Sequence, residues 1–181
     1  MSRHFPIVIF IVTLAVFFLF YYPVNFQPNP AFSSTKTVHD SFDILHYIIN
    51  LNITDIPSGS VSGVTDVQLK SLTDTLYRIT LQLKGLHVDS VWLDEEGINE
   101  FFSVNDYVII QLSEPVLKGN TAIITVFYHG NPVRDPNWGG VYFKEKTAFA
   151  IGVCMSLEPP SGGRLWYPCI DDFREKATYD F

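Results

Sequence analysis

From Phe42 onward the apolar residues of this chain recur at every second position, and that period leaves little choice of fold. Ile49, Leu51 and Ile53 alternate with Asn50, Asn52 and Thr54. Val67 and Leu69 alternate with Gln68 and Lys70, and Ile79, Leu81 and Leu83 with Arg78, Thr80, Gln82 and Lys84. Successive side chains of an extended chain point to opposite faces, so each run has one dry face and one wet face. A helix would need apolar residues three and four apart, and no long run of that kind follows residue 42. Val88 to Leu93, Tyr107 to Leu112 and Ala122 to Tyr128 are further strand candidates, rich in branched and aromatic residues. Turn signals separate them at Pro57-Ser58-Gly59, Lys84-Gly85, Glu96-Gly97, Lys118-Gly119-Asn120 and Gly130-Asn131-Pro132. "VYF" and "AFAIGVCM", on either side of Lys144-Glu145-Lys146, read as a further strand pair. Such spacing predicts an all-β domain, an antiparallel sandwich or barrel, over residues 42–181.

Two other segments come first. Phe5 to Tyr22 carries no charge, and only Pro6 and Thr13 interrupt its apolar character. Arg3 precedes it, and the next basic residue is Lys36. This pattern predicts an apolar N-terminal helix in residues 1–23, acting as a signal peptide or a retained signal anchor. Either places the rest of the chain outside the cytoplasm: periplasmic, extracellular or membrane-anchored. Residues 24–41 are rich in Pro, Asn, Ser and Thr and read as a linker. All 19 Asp and Glu residues follow the apolar run, giving a formal net charge of −7 with the 12 Lys and Arg. An acidic surface repels phosphate backbones, which makes nucleic acid a poor partner. The membrane contact expected is through residues 5–22.

The chemistry-bearing residues form no self-contained active site. His4, His39, His46, His87 and His129 include no pair three or four apart, and H-E-x-x-H is absent, so no metal ligand set is expected in this chain. G-x-S-x-G is also absent. Cys154 and Cys169 allow a single disulfide or two buried thiols. Asp171 and Asp172 are adjacent, and adjacent residues on an extended chain face opposite ways. One of them is expected to pair with Arg164 or to cap a turn after Pro168, a structural role rather than paired acid–base work.

The end of the chain, "YPCIDDFREKATYDF", resembles the signature that closes the N-terminal domain of M1-family (aminopeptidase N-like) zinc metallo-aminopeptidases, P-C-F-D-E-P-x-x-K-A-T-F-D. Pro168, Cys169, Asp171, Lys176, Ala177, Thr178 and Asp180 match position for position, and Arg164 stands where the family places an Arg. Ile170, Asp172 and Tyr179 are close substitutes, whereas Phe173 replaces a common Pro. "FDILHYIINLNI", Phe42 to Ile53, is similar to the family's opening strand. The resemblance implies a saddle-like β-sandwich that abuts a thermolysin-like catalytic domain. That domain would bring zinc, H-E-x-x-H and G-x-M-E-N, none of which occurs here. It also implies that a loop carboxylate, Glu158, contacts the α-ammonium group of a peptide substrate. The chain is therefore expected to be inactive alone, and its last residues, which alternate in a strand-like way, read as the end of a fragment. The competing readings are a non-enzymatic exported β-sandwich that binds or scaffolds, and an unrelated adhesion-type sandwich.

Overall fold

A computed structural model describes residues 40–53, 55–135, 138–151 and 162–181. The expected apolar helix over residues 5–22 lies outside them, as do Cys154 and Glu158. Among the described residues no helix is long and apolar enough to cross a membrane.

The strands are β1 (Phe42–Asn52), β2 (Val61–Ser71), β3 (Thr75–Gln82), β4 (His87–Leu93), β5 (Glu96–Ile98), β6 (Phe101–Val104), β7 (Tyr107–Leu117), β8 (Thr121–Gly130), β9 (Gly140–Lys144), β10 (Thr147–Ile151) and β11 (Thr178–Asp180). They form a six-stranded sheet in the order β11-β1-β2-β8-β4-β5, a three-stranded sheet β3-β7-β6, and the separate hairpin β9-β10. All pairs are antiparallel except β1 with β11, which run parallel. That exception departs from the wholly antiparallel expectation. It arises because the chain reaches β1 a second time through the irregular corner at residues 162–177, not through a hairpin.

The alternation has its expected consequence over most of each run, but Ile53, expected on the dry face, lies beyond the end of β1 and is exposed. Phe42, Ile44, Tyr47 and Ile49 of β1, Val67 and Leu69 of β2, Val91 of β4 and Ile124, Val126 and Tyr128 of β8 are buried. They share one core with Leu76, Ile79 and Leu81 of β3 and Val108, Ile110 and Leu112 of β7. Two sheets thus press their dry faces together as a β-sandwich. Each fully buried aliphatic side chain contributes roughly 1.5–3 kcal/mol relative to an exposed one. Gly63 sits where the core has no room for a side chain, because a Cβ there would collide with the Tyr128 ring. That ring is fixed by the buried hydrogen bond between Tyr128 Oη and Thr65 Oγ1, 3.2 Å long.

One turn falls earlier than expected. Asp94 and Glu95, not Glu96-Gly97, carry the positive φ angles of 45° and 74° that reverse the chain. Gly97 instead lies inside β5, opposite Trp92. The reason lies in a distant strand. Asp94 N donates to Ile123 O at 3.0 Å, and Ile123 N donates to Asp94 Oδ1 at 2.8 Å, which ties the turn to β8.

Ile110→Ala is expected to lower the unfolding free energy by about 2–5 kcal/mol, seen as a lower urea midpoint at unchanged slope. Ile123→Ala, on the wet face with 42% of the side chain's residue surface exposed, is expected to cost about 1 kcal/mol or less.

Candidate functional site

The terminal corner begins with a 3₁₀ turn, Gly163–Leu165, that turns Arg164 inward. Arg164 is 6% exposed and Asp171 5% exposed, so both charges leave water on folding. Arg164 Nε lies 3.3 Å from Asp171 Oδ2, and Gly163 N donates to Asp171 Oδ1 at 3.1 Å. A carboxylate held by a guanidinium and a backbone N–H offsets part of its desolvation.

The corner is fastened to both sheets. Gln82 N donates to Cys169 O at 2.7 Å, and Cys169 N donates back to Gln82 O at 3.0 Å. Asp171 N donates to Gln82 Oε1 at 2.8 Å, while Lys84 N donates to Arg164 O at 2.7 Å. These bonds anchor the corner to the end of β3. On the β1 side, Ile170 N donates to the buried Tyr47 Oη at 3.0 Å. Tyr47 meets Tyr167 edge-on at 5.9 Å and stacks on Tyr179 at 5.1 Å between ring centroids. Sequence reading did not single out Tyr47 or Gln82 as contacts of the corner. Gln82 occupies a wet-face position of its strand, and the only hint was a hydrogen-bonding side chain at a strand end.

Asp171 and Asp172 part company as neighbours on an extended chain must. Asp172 faces outward and takes Arg174 as its partner, Nη2 to Oδ2 at 2.6 Å, and also accepts from Arg174 N at 2.9 Å. Pro168 is buried, whereas Phe173 and Lys176 are exposed on the way into β11.

Cys169 is a buried free thiol. Burial holds its pKa well above the ordinary thiol range, the Asp171 carboxylate pushes the same way, and Arg164 opposes them. A thiol kept protonated is a poor nucleophile at neutral pH. Burial likewise raises the phenols of Tyr47 and Tyr167, and brings Tyr128 up to about 12. Cys169 adds to the shift in all three, while the hydrogen bonds of Tyr128 with Thr65 and of Tyr47 with Ile170 oppose it. Cys169 and these three phenols are therefore held in their protonated forms at pH 7.

Metal chemistry finds no ready ligands either: among the described residues no group of three or more His, Cys, Asp or Glu side chains is arranged to hold an ion. His46 binds Thr178 and faces Asp180, and His129 Nδ1 binds Asp89 at 2.7 Å. The residues described here do not fit a zinc ion. An open groove of about 500 Å³ runs beside Ile49, Asn50, Val64, Asp89, Phe127 and Phe181. Of the terminal stretch, only Phe181 borders it.

No protein-family model matches the sequence, and no curated protein does. Solved structures do match the fold. A mutant M1 zinc metallopeptidase from Deinococcus radiodurans, bound to a Tyr-Ser-Ala substrate, superposes with a TM-score of 0.65 at 22% identity over 77% of this chain. A two-domain M1 zinc metallopeptidase mutant bound to L-tryptophan gives a TM-score of 0.65 at 22% identity. The M1 zinc metallopeptidase from D. radiodurans gives 0.64 at 21%. The likeness is one of fold, and this chain spans 31% of the length of the first of these structures.

Asp171→Ala is expected to destabilise the chain by about 3–5 kcal/mol, because the Arg164 guanidinium stays buried without its counter-charge. Asp172→Ala, whose partner Arg174 is exposed, is expected to leave the urea midpoint unchanged within error. The paired substitution Arg164→Met with Asp171→Leu is expected to recover most of the loss, since no charge then remains to be desolvated.

Proposed function

We propose that this chain is the N-terminal, substrate-side domain of an M1-type zinc aminopeptidase, and that it works only beside a catalytic domain. The observation that carries the proposal is the corner itself. Arg164, Pro168, Cys169, Asp171 and Lys176 are among the residues that match the M1 signature, and Arg164 and Asp171 meet as a buried pair within an M1-like fold. The sequence resemblance and the fold likeness point to the same kind of protein. The chain's span of 31% of the matched structure fits one domain of such an enzyme.

On this reading zinc belongs to the partner domain, and no step of its chemistry runs through the residues described above. The saddle-like face of the sandwich meets the catalytic domain. Glu158, outside the described residues, would give its carboxylate to the α-ammonium group of the peptide, where a charge-assisted bond fixes the amino end. Export by residues 5–22 would place the activity outside the cytoplasm.

The purified chain is expected to show no hydrolysis of aminoacyl-anilides with or without added zinc. In a longer protein that carries the catalytic motifs, Glu158→Ala is expected to raise KM about tenfold or more while leaving the melting temperature in place. Zinc-dependent turnover by the chain alone, or unchanged KM in that variant, would overturn the respective assignment.

A further inference from the structure

The last strand is fastened to β1 by a side-chain arrangement that is complete only with one additional proton. A register shift between Ile44 and His46 leaves Leu45 without a partner on β2. Thr178 Oγ1 supplies a donor for its carbonyl, at 3.2 Å from Leu45 O. A hydroxyl has a single proton, and a carbonyl can only accept. With that proton spent on Leu45, Thr178 Oγ1 must accept from His46 Nδ1, 2.6 Å away. The other ring nitrogen, Nε2, lies 3.3 Å from Asp180 Oδ2, and an ionised carboxylate can only accept. Both ring nitrogens must therefore carry hydrogen for all three contacts to hold at once.

We propose that His46 is a proton-operated latch that fastens β11 to β1 in its imidazolium form and loosens it when one ring proton is lost. The neutral ring fails in either tautomer. With hydrogen on Nε2, Nδ1 takes the Thr178 proton and the Thr178–Leu45 contact is given up. With hydrogen on Nδ1, a lone pair at Nε2 faces the Asp180 carboxylate.

Glu175, its carboxyl pKa raised by burial and then by Asp43, is the other titratable group at this junction, and the His46→Gln variant separates its effect from that of the ring. On β2, Gln68 lies opposite His46 and is uncharged. Asp66, two residues along, already accepts from Thr125 Oγ1 at 2.6 Å, and Lys70, two residues the other way, lies opposite Asp43. From the loop before β11, Glu175 is packed with Asp43 and Ile44, and Lys176 is exposed. On β11 itself Asp180 is the one carboxylate at the ring.

β11 suits a switch of modest strength. It is three exposed residues long and pairs only with His46, Tyr47 and Ile48. The stacking of Tyr179 on Tyr47 at 5.1 Å, and of Phe181 on Trp166 at 5.9 Å, does not depend on any proton. The latch therefore shifts the opening of a docked strand and does not create or abolish it. Histidine is the side chain whose charge changes between pH 5 and 8. The latch is independent of the function proposed above.

Amide hydrogen exchange of residues 178–181 in the full-length chain, corrected for intrinsic rates, tests the latch at pH 5.5 and pH 7.5. The loss of one hydrogen bond predicts protection about threefold to tenfold greater at pH 5.5. The β2 amides serve as the folding control, and His87 and His129, on β4 and β8, supply the background for other histidines. His46→Gln is expected to erase the difference, and Asp180→Asn to reduce it with the fold intact. Equal protection of the unsubstituted chain at the two pH values would overturn the proposal. So would the same pH difference persisting in His46→Gln or, should that variant fail its folding control, in Asp180→Asn.

Discussion

The buried pair of Arg164 and Asp171 fixes the course of the chain after residue 162. Two charges, each nearly out of water, impose a cost that only close pairing and added hydrogen bonds can offset. The chain supplies both. Gly163 N donates to one oxygen of the carboxylate, and Gln82 binds the same stretch three times through its backbone and side chain. Once those bonds form, Cys169 and Ile170 must lie between β3 and Tyr47, and the chain can only leave alongside β1. The parallel pairing of β11 is thus a consequence of the corner, not an independent feature of the sheet.

Most of the sandwich is legible in the sequence because its cause is local. A period of two, cut by Gly, Pro and Asn, specifies which residues face inward without any knowledge of partners. β1 begins at Phe42 as the alternation does, and β9 and β10 pair across Lys144-Glu145-Lys146 as their flanking sequence predicts. What is not legible depends on distant partners. Gln82 looks like any wet-face residue of a strand until Cys169 arrives opposite it. Tyr47 looks like a core aromatic, with no local sign that its hydroxyl will cap Ile170 N. The turn at Asp94 and Glu95 needs β8 for its explanation: Asp tolerates positive φ, but it is the pair of bonds to Ile123 that fixes the reversal there. Of the candidate site, Arg164, Cys169 and Asp171 are brought together, whereas Glu158 and Cys154 lie outside the described residues.

The chemistry of the corner points the same way as its geometry. Cys169 is held protonated, the buried phenols are held neutral, and Arg164 and Asp171 pair with each other. Such a cluster builds shape. It delivers an aromatic edge of Trp166, Tyr179 and Phe181, with Tyr179 and Phe181 at 42% and 79% exposure, to the border of the molecule next to β1. The His46 arrangement adds a means of adjusting how firmly that edge is seated.

The central claim is that the corner belongs to the cooperative core and is not a loop laid upon it. Native-state hydrogen exchange of the Cys169 and Ile170 amides across a series of low denaturant concentrations tests this most directly. The account predicts that both amides open only with the whole domain, with the same free energy and denaturant slope as Val67 of β2 and Val126 of β8. Opening at much lower free energy, with a slope near zero, would contradict it.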